Sequence, residues 1–314
     1  MKLNRLKLGD VIGFICPSSK FDMTSPRLVK LEEELTKMGF KFKYSKTCVD
    51  KFGYLAGTDE ARKDDLENMF LDSEVKAIMC MKGGYGASRF VDKIDYEIIK
   101  NNPKLFMGFS DITVLLNNIY QKTGIPTIHG LVGIFLGNPN IDEFSIDDFN
   151  KLIFENTKDR ILESPNDMAK TLVGGVSEGV LVGGNLSLIV NLVGTPYDVD
   201  FTNKIVFIEE VDEEPYSIDR MFAQLRLSGK LDKAKGIVLG HFTNCVGDTE
   251  SFTYEEIIEQ YFKNMEIPVL THFASGHEFP FINLPIGVKV RLDADKKQIK
   301  ILEDIYNEES WTFY

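Results

Sequence analysis

An α/β chain in two parts is expected: an amino-terminal, doubly wound, mostly parallel sheet domain over 1–150, a linker over 151–168, and a mixed α+β carboxyl-terminal domain over 169–314. Three observations predict it. Short apolar runs alternate with amphipathic helical stretches through the first half, the pattern of right-handed βαβ crossovers and a sheet covered on both faces. The second half sets β-type runs beside paired glycines, Gly174-Gly175 and Gly183-Gly184. A chain of 314 residues also exceeds the usual single core, and its 43% hydrophobic content can fill one in each part.

The elements follow in order. Strands are expected over 11–16, 41–44, 74–81 and 105–109, with helices over 26–38, 59–71, 87–94, 96–101 and 111–121. Ser25-Pro26 opens the first helix with a cap and a proline at its first position, and Gly39 closes it. Ligands of such sheets bind at the carboxyl ends of the strands. Three loops gather there: Pro17-Ser18-Ser19, Lys82-Gly83-Gly84-Tyr85-Gly86, and the turn at Ser110. The charged, weakly patterned stretch 144–160 reads as the connection between domains. Beyond it, 170–182, 204–209, 236–241, 287–293 and 298–302 are β-rich. The stretch 215–228 is an amphipathic helix with Ile218, Met221, Phe222 and Leu225 on one face.

Composition excludes several functions. The 36 basic against 48 acidic residues give a net charge of -12, which disfavours a phosphate backbone, so no nucleic-acid partner is expected. The apolar run 11–16 is too short for a signal peptide or a membrane span. Cys16, Cys48, Cys80 and Cys245 have no CxxC spacing. Neither a metal site nor a disulfide framework is suggested, and a reducing cytoplasm fits. The glycine-rich loop at 82–86 lacks the GxGxxG and GxxxxGK spacings, so no nucleotide cofactor is expected.

Gly108-Phe109-Ser110-Asp111-Ile112 places a serine between an apolar strand and a helix. There a hydroxyl projects above the sheet, and the helix start favours developing negative charge. The usual nucleophile elbow has glycine two places after the serine, where Ile112 stands, and a plain helix cap is the competing reading. A serine nucleophile needs a base oriented by a carboxylate. Four histidines are available. His129, His241 and His272 sit near strand ends, whereas His277 lies in the turn-forming loop Ser275-Gly276-His277-Glu278-Phe279-Pro280 and is preferred. Glu209-Glu210 directly ends an apolar strand, which is costly unless the strand stops at a cleft, so one of the two is expected to face inward. The N–H groups of Gly84 and Asp111 are the candidate oxyanion donors.

Together these residues resemble the LD-carboxypeptidase family, serine peptidases that trim muropeptides and include the microcin C immunity peptidases. The resemblance runs along nearly the whole chain. Its motifs are Gly53-Tyr54-Leu55-Ala56-Gly57-Thr58-Asp59, Lys82-Gly83-Gly84-Tyr85-Gly86-Ala87-Ser88-Arg89 and Gly108-Phe109-Ser110-Asp111-Ile112-Thr113. They continue with Gly183-Gly184-Asn185-Leu186-Ser187, Ile208-Glu209-Glu210 with Tyr216-Ser217-Ile218-Asp219-Arg220-Met221, and Gly276-His277 before Leu284-Pro285-Ile286-Gly287. The resemblance implies Ser110 as nucleophile, Glu209 as triad carboxylate and His277 as general base, with the site between the two domains and a homodimer. It implies hydrolysis of the amide joining an L-centre to a terminal D-alanine, without metal or cofactor, in wall-peptide recycling. Lys82 stands where the family usually has arginine and lacks the planar fork for a carboxylate. Arg89 is the other candidate cation for the terminal carboxylate. A microcin C immunity-type peptidase would instead need an aromatic surface for a nucleobase, and the one tryptophan, Trp311, lies in the tail. An inert ligand-binding module is the alternative of a different class.

Overall fold

The computed structural model describes residues 1–307; Trp311 lies outside them. In the first half β1 (Val11–Ile15), α1 (Pro26–Lys37), β2 (Lys41–Tyr44), α2 (Asp59–Leu71), β3 (Val75–Cys80), α3 (Tyr96–Asn101), β4 (Leu105–Gly108), α4 (Thr113–Thr123) and β5 (Thr127–His129) alternate. These five strands form a parallel sheet in the order β5-β4-β3-β1-β2. Local chemistry fixes the ends: the Ser25 hydroxyl accepts from Arg27 N–H at the start of α1, whose Leu28, Leu31 and Leu35 are buried.

Three stretches depart from expectation. The helix expected over 87–94 is one 3-10 turn, Ala87–Arg89, whose first N–H is taken by the Asp111 carboxylate and which ends where Phe90 leaves helical geometry at φ -133. The helix expected from 111 begins two residues later, after a 3-10 turn at Ser110–Ile112. After the short α5 (Gly133–Leu136), the stretch read as a weakly patterned connection forms α6 (Glu143–Phe154). Asp142 caps it, and Phe149, Leu152 and Ile153 are buried beneath an outer face that carries the charges.

The chain then adds β6 (Ile161–Glu163), β7 (Lys170–Val173), β8 (Val176–Asn185), α7 (Leu186–Asn191), β9 (Lys204–Val211), α8 (Pro215–Leu227), β10 (Gly236–Thr243), α9 (Tyr254–Phe262), β11 (Val269–Thr271), β12 (Leu284–Ile286), β13 (Lys289–Asp293) and β14 (Gln298–Ile301). All but β12 form a mixed sheet ordered β6-β14-β13-β8-β9-β10-β11-β7, parallel from β8 to β11 and antiparallel elsewhere. β12 returns to the first sheet and pairs antiparallel with β5, Leu284 opposite His129. The two sheets share an apolar core: Phe14, Ile78 and Phe106 belong to the same cluster as Phe207, Val238 and Phe281.

One seam positions the site. Gly183 N–H donates to Asn117 Oδ1 at 3.0 Å, and Asn117 Nδ2 donates to Gly183 O at 2.9 Å. Asn185 N–H donates to Thr113 Oγ1 at 2.9 Å. A side chain on Gly184 would stand 2.4 Å from that Thr113 oxygen, so the bare backbone is what lets β8 lie against α4. Since Asn185 is paired with Glu209 across β8 and β9, this seam fixes the turn at Ser110 relative to Glu209.

Candidate active site

Ser110 follows the last residue pair of β4 with φ 65, left-handed backbone that a non-glycine residue rarely takes. Such backbone aims a side chain out of the sheet edge, and Ser110 is partly exposed there. Room for the turn comes from before the serine: a Cβ on Gly108 would lie 2.7 Å from Ile112 Cγ2. This explains how Ile112 occupies a place where other elbows use glycine. Facing the serine is the turn after β3. A Cβ on Gly83 would meet Ser110 Cβ at 2.8 Å and Oγ at 3.0 Å. The next N–H in that turn is Gly84's, and no backbone acceptor among the described residues engages it. Ser19 backs the turn by accepting from Tyr85 N–H at 3.2 Å.

Glu209 sits on β9, fully buried, and its Oε2 lies 2.7 Å from His277 Nδ1. Burial alone would push the Glu209 carboxyl up, but the charge and hydrogen bond of His277 outweigh it and hold the group below its ordinary value. For His277 burial pulls down, and the attraction and hydrogen bond of Glu209 outweigh that pull, leaving the imidazole above its ordinary value. Glu210 points away into another set of donors, Asn185 Nδ2, Ser187 N–H and Ser187 Oγ, at 2.7 to 2.8 Å. Its side chain holds the α7 start against β9. The His277 ring packs edge-on to the ring of Phe109, the residue before Ser110, with centroids 4.8 Å apart. No direct hydrogen bond joins Ser110 to His277 among the described residues.

The other histidines have different surroundings. His241 is held between Glu278 Oε1 at 3.0 Å and Pro280 O at 3.1 Å, His272 meets Thr271 Oγ1 at 3.0 Å, and His129 is fully buried among aromatic rings.

Asp111 contributes more than its N–H. Its buried carboxylate accepts from Ser18 Oγ at 2.5 Å and Ala87 N–H at 2.8 Å, tying together the three loops at the sheet edge. Burial pushes its carboxyl above the usual carboxylate range against those two bonds. Arg62 was missed in the sequence because a charge on a helix reads as a solvated face. It is buried and donates to Pro17 O at 2.7 Å and Gly86 O at 2.8 Å, with Asp59 Oδ1 at 2.5 Å. Arg89 also binds Asp59, through Nε at 2.9 Å and a terminal nitrogen at 3.2 Å. That ion pair directs Arg89 away from the role of a free carboxylate receptor. Lys82 is partly buried at the end of β3 and has no ion pair among the described residues. Asn185 and Ser187 were legible as a motif, but their task as Glu210 donors needs the β8–β9 pairing.

The geometry thus sets a partly exposed serine on left-handed backbone beside a glycine turn, and pairs a buried carboxylate with a partly buried imidazole packed on the Phe109 ring. Comparison with known proteins identifies the family along the chain. Residues 12–130 match the LD-carboxypeptidase N-terminal domain and residues 178–292 the LD-carboxypeptidase C-terminal domain. A probable murein peptide carboxypeptidase of Bacillus subtilis is 40% identical over 94% of this chain and 92% of its own length. The murein tetrapeptide carboxypeptidase of Pseudomonas aeruginosa is 30% identical over 91% of this chain and 94% of its own. Among solved structures, the wild-type apo form of the microcin C7 self-immunity protein MccF superposes with a TM-score of 0.89 at 27% identity, covering 98% of this chain and 100% of that one. The chain belongs to the LD-carboxypeptidase family and is a peptidase by that membership.

Proposed function

We propose that this peptidase is a serine carboxypeptidase that cuts the amide between an L-centre and the terminal D-alanine of murein tetrapeptides. The observation that carries the reading is the 2.7 Å contact of His277 Nδ1 with Glu209 Oε2 beside the ring that precedes Ser110. Relatives named for murein peptides support the substrate class. Glu209 holds the Nδ1–H of His277, which leaves Nε2 as the base. Ser110 Oγ gives its proton to Nε2 and attacks the carbonyl carbon, and the Gly84 and Asp111 N–H groups receive the oxyanion. The imidazolium, stabilised by Glu209, then protonates the leaving D-alanine nitrogen. Water, deprotonated by the same Nε2, releases the acyl group and restores Ser110. Lys82 is the cation we assign to the terminal carboxylate, with Arg89 held in reserve by Asp59. We place the reaction in the cytoplasm, where the four buried free thiols stay reduced, in a homodimer.

Ser110→Ala should abolish D-alanine release from a purified L,D-tetrapeptide while circular dichroism stays unchanged; retained turnover would refute the mechanism. A second reading, cleavage of an aminoacyl nucleotide, has one observation in its favour. Tyr54 and Tyr85 are 60% and 48% exposed, with ring centroids 5.7 Å apart, on the loops around Ser19, and they offer an aromatic surface without a tryptophan. Parallel assays with a tetrapeptide and an aspartyl adenylate analogue separate the two.

A further inference from the structure

The Glu209–His277 pair leaves one oxygen without a partner. Glu209 Oε1 is buried and makes no hydrogen bond among the described residues; the Asn185 amide, which helps hold the Glu209 carboxyl down, donates to Glu210 Oε1 at 2.8 Å instead. A second orphan lies close by: His129 is fully buried, and neither its Nδ1 nor its Nε2 has a hydrogen-bond partner among the described residues. Buried polar groups are seldom left so, because each costs the desolvation it suffered. The fold brings these two orphans together. Phe207 and Glu209 are two residues apart on β9, so their side chains share a face of the strand, about 7 Å apart along it. The His129 ring packs against Phe207 with centroids 4.8 Å apart. Phe109 bridges the two histidines, 5.8 Å from the His129 ring and 4.8 Å from that of His277, and Phe281 stacks on His129 with centroids 5.9 Å apart. Within this aromatic box the titratable groups that act on His129 are Glu209 and His277.

We infer that His129 is a positioning residue for the catalytic carboxylate: its neutral imidazole supplies, through one bridging water, the donor that Glu209 Oε1 lacks. Neutral imidazole has one N–H to give, and a water between two buried polar groups satisfies both. Burial drives the imidazole down to about 4, which keeps it neutral across the working range and opposes the pull of Glu209. Glu209 is then held at both oxygens, and its charge stays directed at Nδ1 of His277 rather than rotating about its last bond.

Two measurements test this, and one needs no substrate. In the intact wild-type protein and in Glu209→Gln, the ring nitrogens of His129 are read by nitrogen-15 NMR. The inference expects one His129 nitrogen to shift on that substitution; unchanged resonances overturn it whatever the substrate proves to be. The kinetic measurement rests on the proposed function and uses His129→Phe, His129→Asn and His129→Gln. The two amides place a donor near Nδ1 and near Nε2, respectively. Loss of a hydrogen bond to a charged group predicts that His129→Phe lowers kcat about tenfold with KM unchanged, and moves the acid limb of the rate profile. One of the amide variants should retain most of kcat. Equal loss in all three variants, or no loss in the phenylalanine variant, contradicts the positioning role. Should no variant turn over a tetrapeptide and wild type fail as well, the NMR result still decides.

Discussion

At Glu209 and His277 two opposing effects of similar kind are balanced, and the balance sets the chemistry. Burial works against the charge on each, while each charge favours the other, and the mutual attraction wins in both. The sign of the pH dependence follows. A base must be neutral to accept a proton, so turnover should rise with pH through a His277 value lying above that of a free imidazole. Glu209→Gln removes the anion and leaves the burial, so the acid limb of kcat/KM should move to lower pH while the maximal rate falls by about 10³-fold or more. A pH–rate profile of both proteins checks this, and an unmoved limb would place the titration elsewhere. Gly83 offers a second residue-scale test. An alanine there would put its methyl 2.8 Å from Ser110 Cβ and 3.2 Å from Phe109 O, so the serine must shift. A displacement of this size should lower kcat by about 10²-fold with the melting temperature little changed.

Elements convert those distances into a site. α4 starts from the turn at Ser110, and β8 carries Asn185 beside Glu209, so the docking of β8 on α4 decides whether the two halves of the proposed machinery meet. That docking is polar and specific. Both atoms of the Asn117 side-chain amide bond the backbone of Gly183, and Gly184 has φ 140, where a side chain would be strained as well as crowded. Asn117→Ala leaves a buried N–H and a buried carbonyl oxygen without those partners, and should lower unfolding stability by about 1–3 kcal/mol in urea melts. If the seam positions the site, kcat should fall too. Aligned motifs alone carry none of this, because Gly183-Gly184 reads as a flexible pair until it is seen that the Phe207 backbone of β9 fills the space a Gly183 side chain would need, and Thr113 of α4 that of a Gly184 side chain.

For the whole molecule, the shared core has a pH consequence. His129 lies where β5, β9 and the 277–284 segment converge, and burial holds its imidazole down to about 4. In the unfolded chain the group titrates near 6.5. Between those values the unfolded chain binds a proton that the folded one refuses, so stability falls as pH drops through the window, by roughly 3 kcal/mol at its lower end. His129→Gln should flatten that slope between pH 7 and pH 4 in denaturant melts; an identical slope would mean that other groups govern it. The alternation of β1 to β4 with α1 to α4 was legible from apolar period and caps, since those are local properties of short stretches. So were the serine turn and the Gly276-His277 loop, because strand ends and small-residue loops announce themselves in order. Helix α6 was hidden by its charged outer face, and the return of β12 to the first sheet could not be read, because three apolar residues fit any sheet edge. The choice of Glu209 over Glu210 as the partner of His277, the engagement of Arg89 by Asp59, and the inferred link of His129 to Glu209 involve residues 30 to 80 positions apart. Local chemistry along a chain selects strands, helices and turns; which distant side chains then share one dry space follows only from how the sheets are packed.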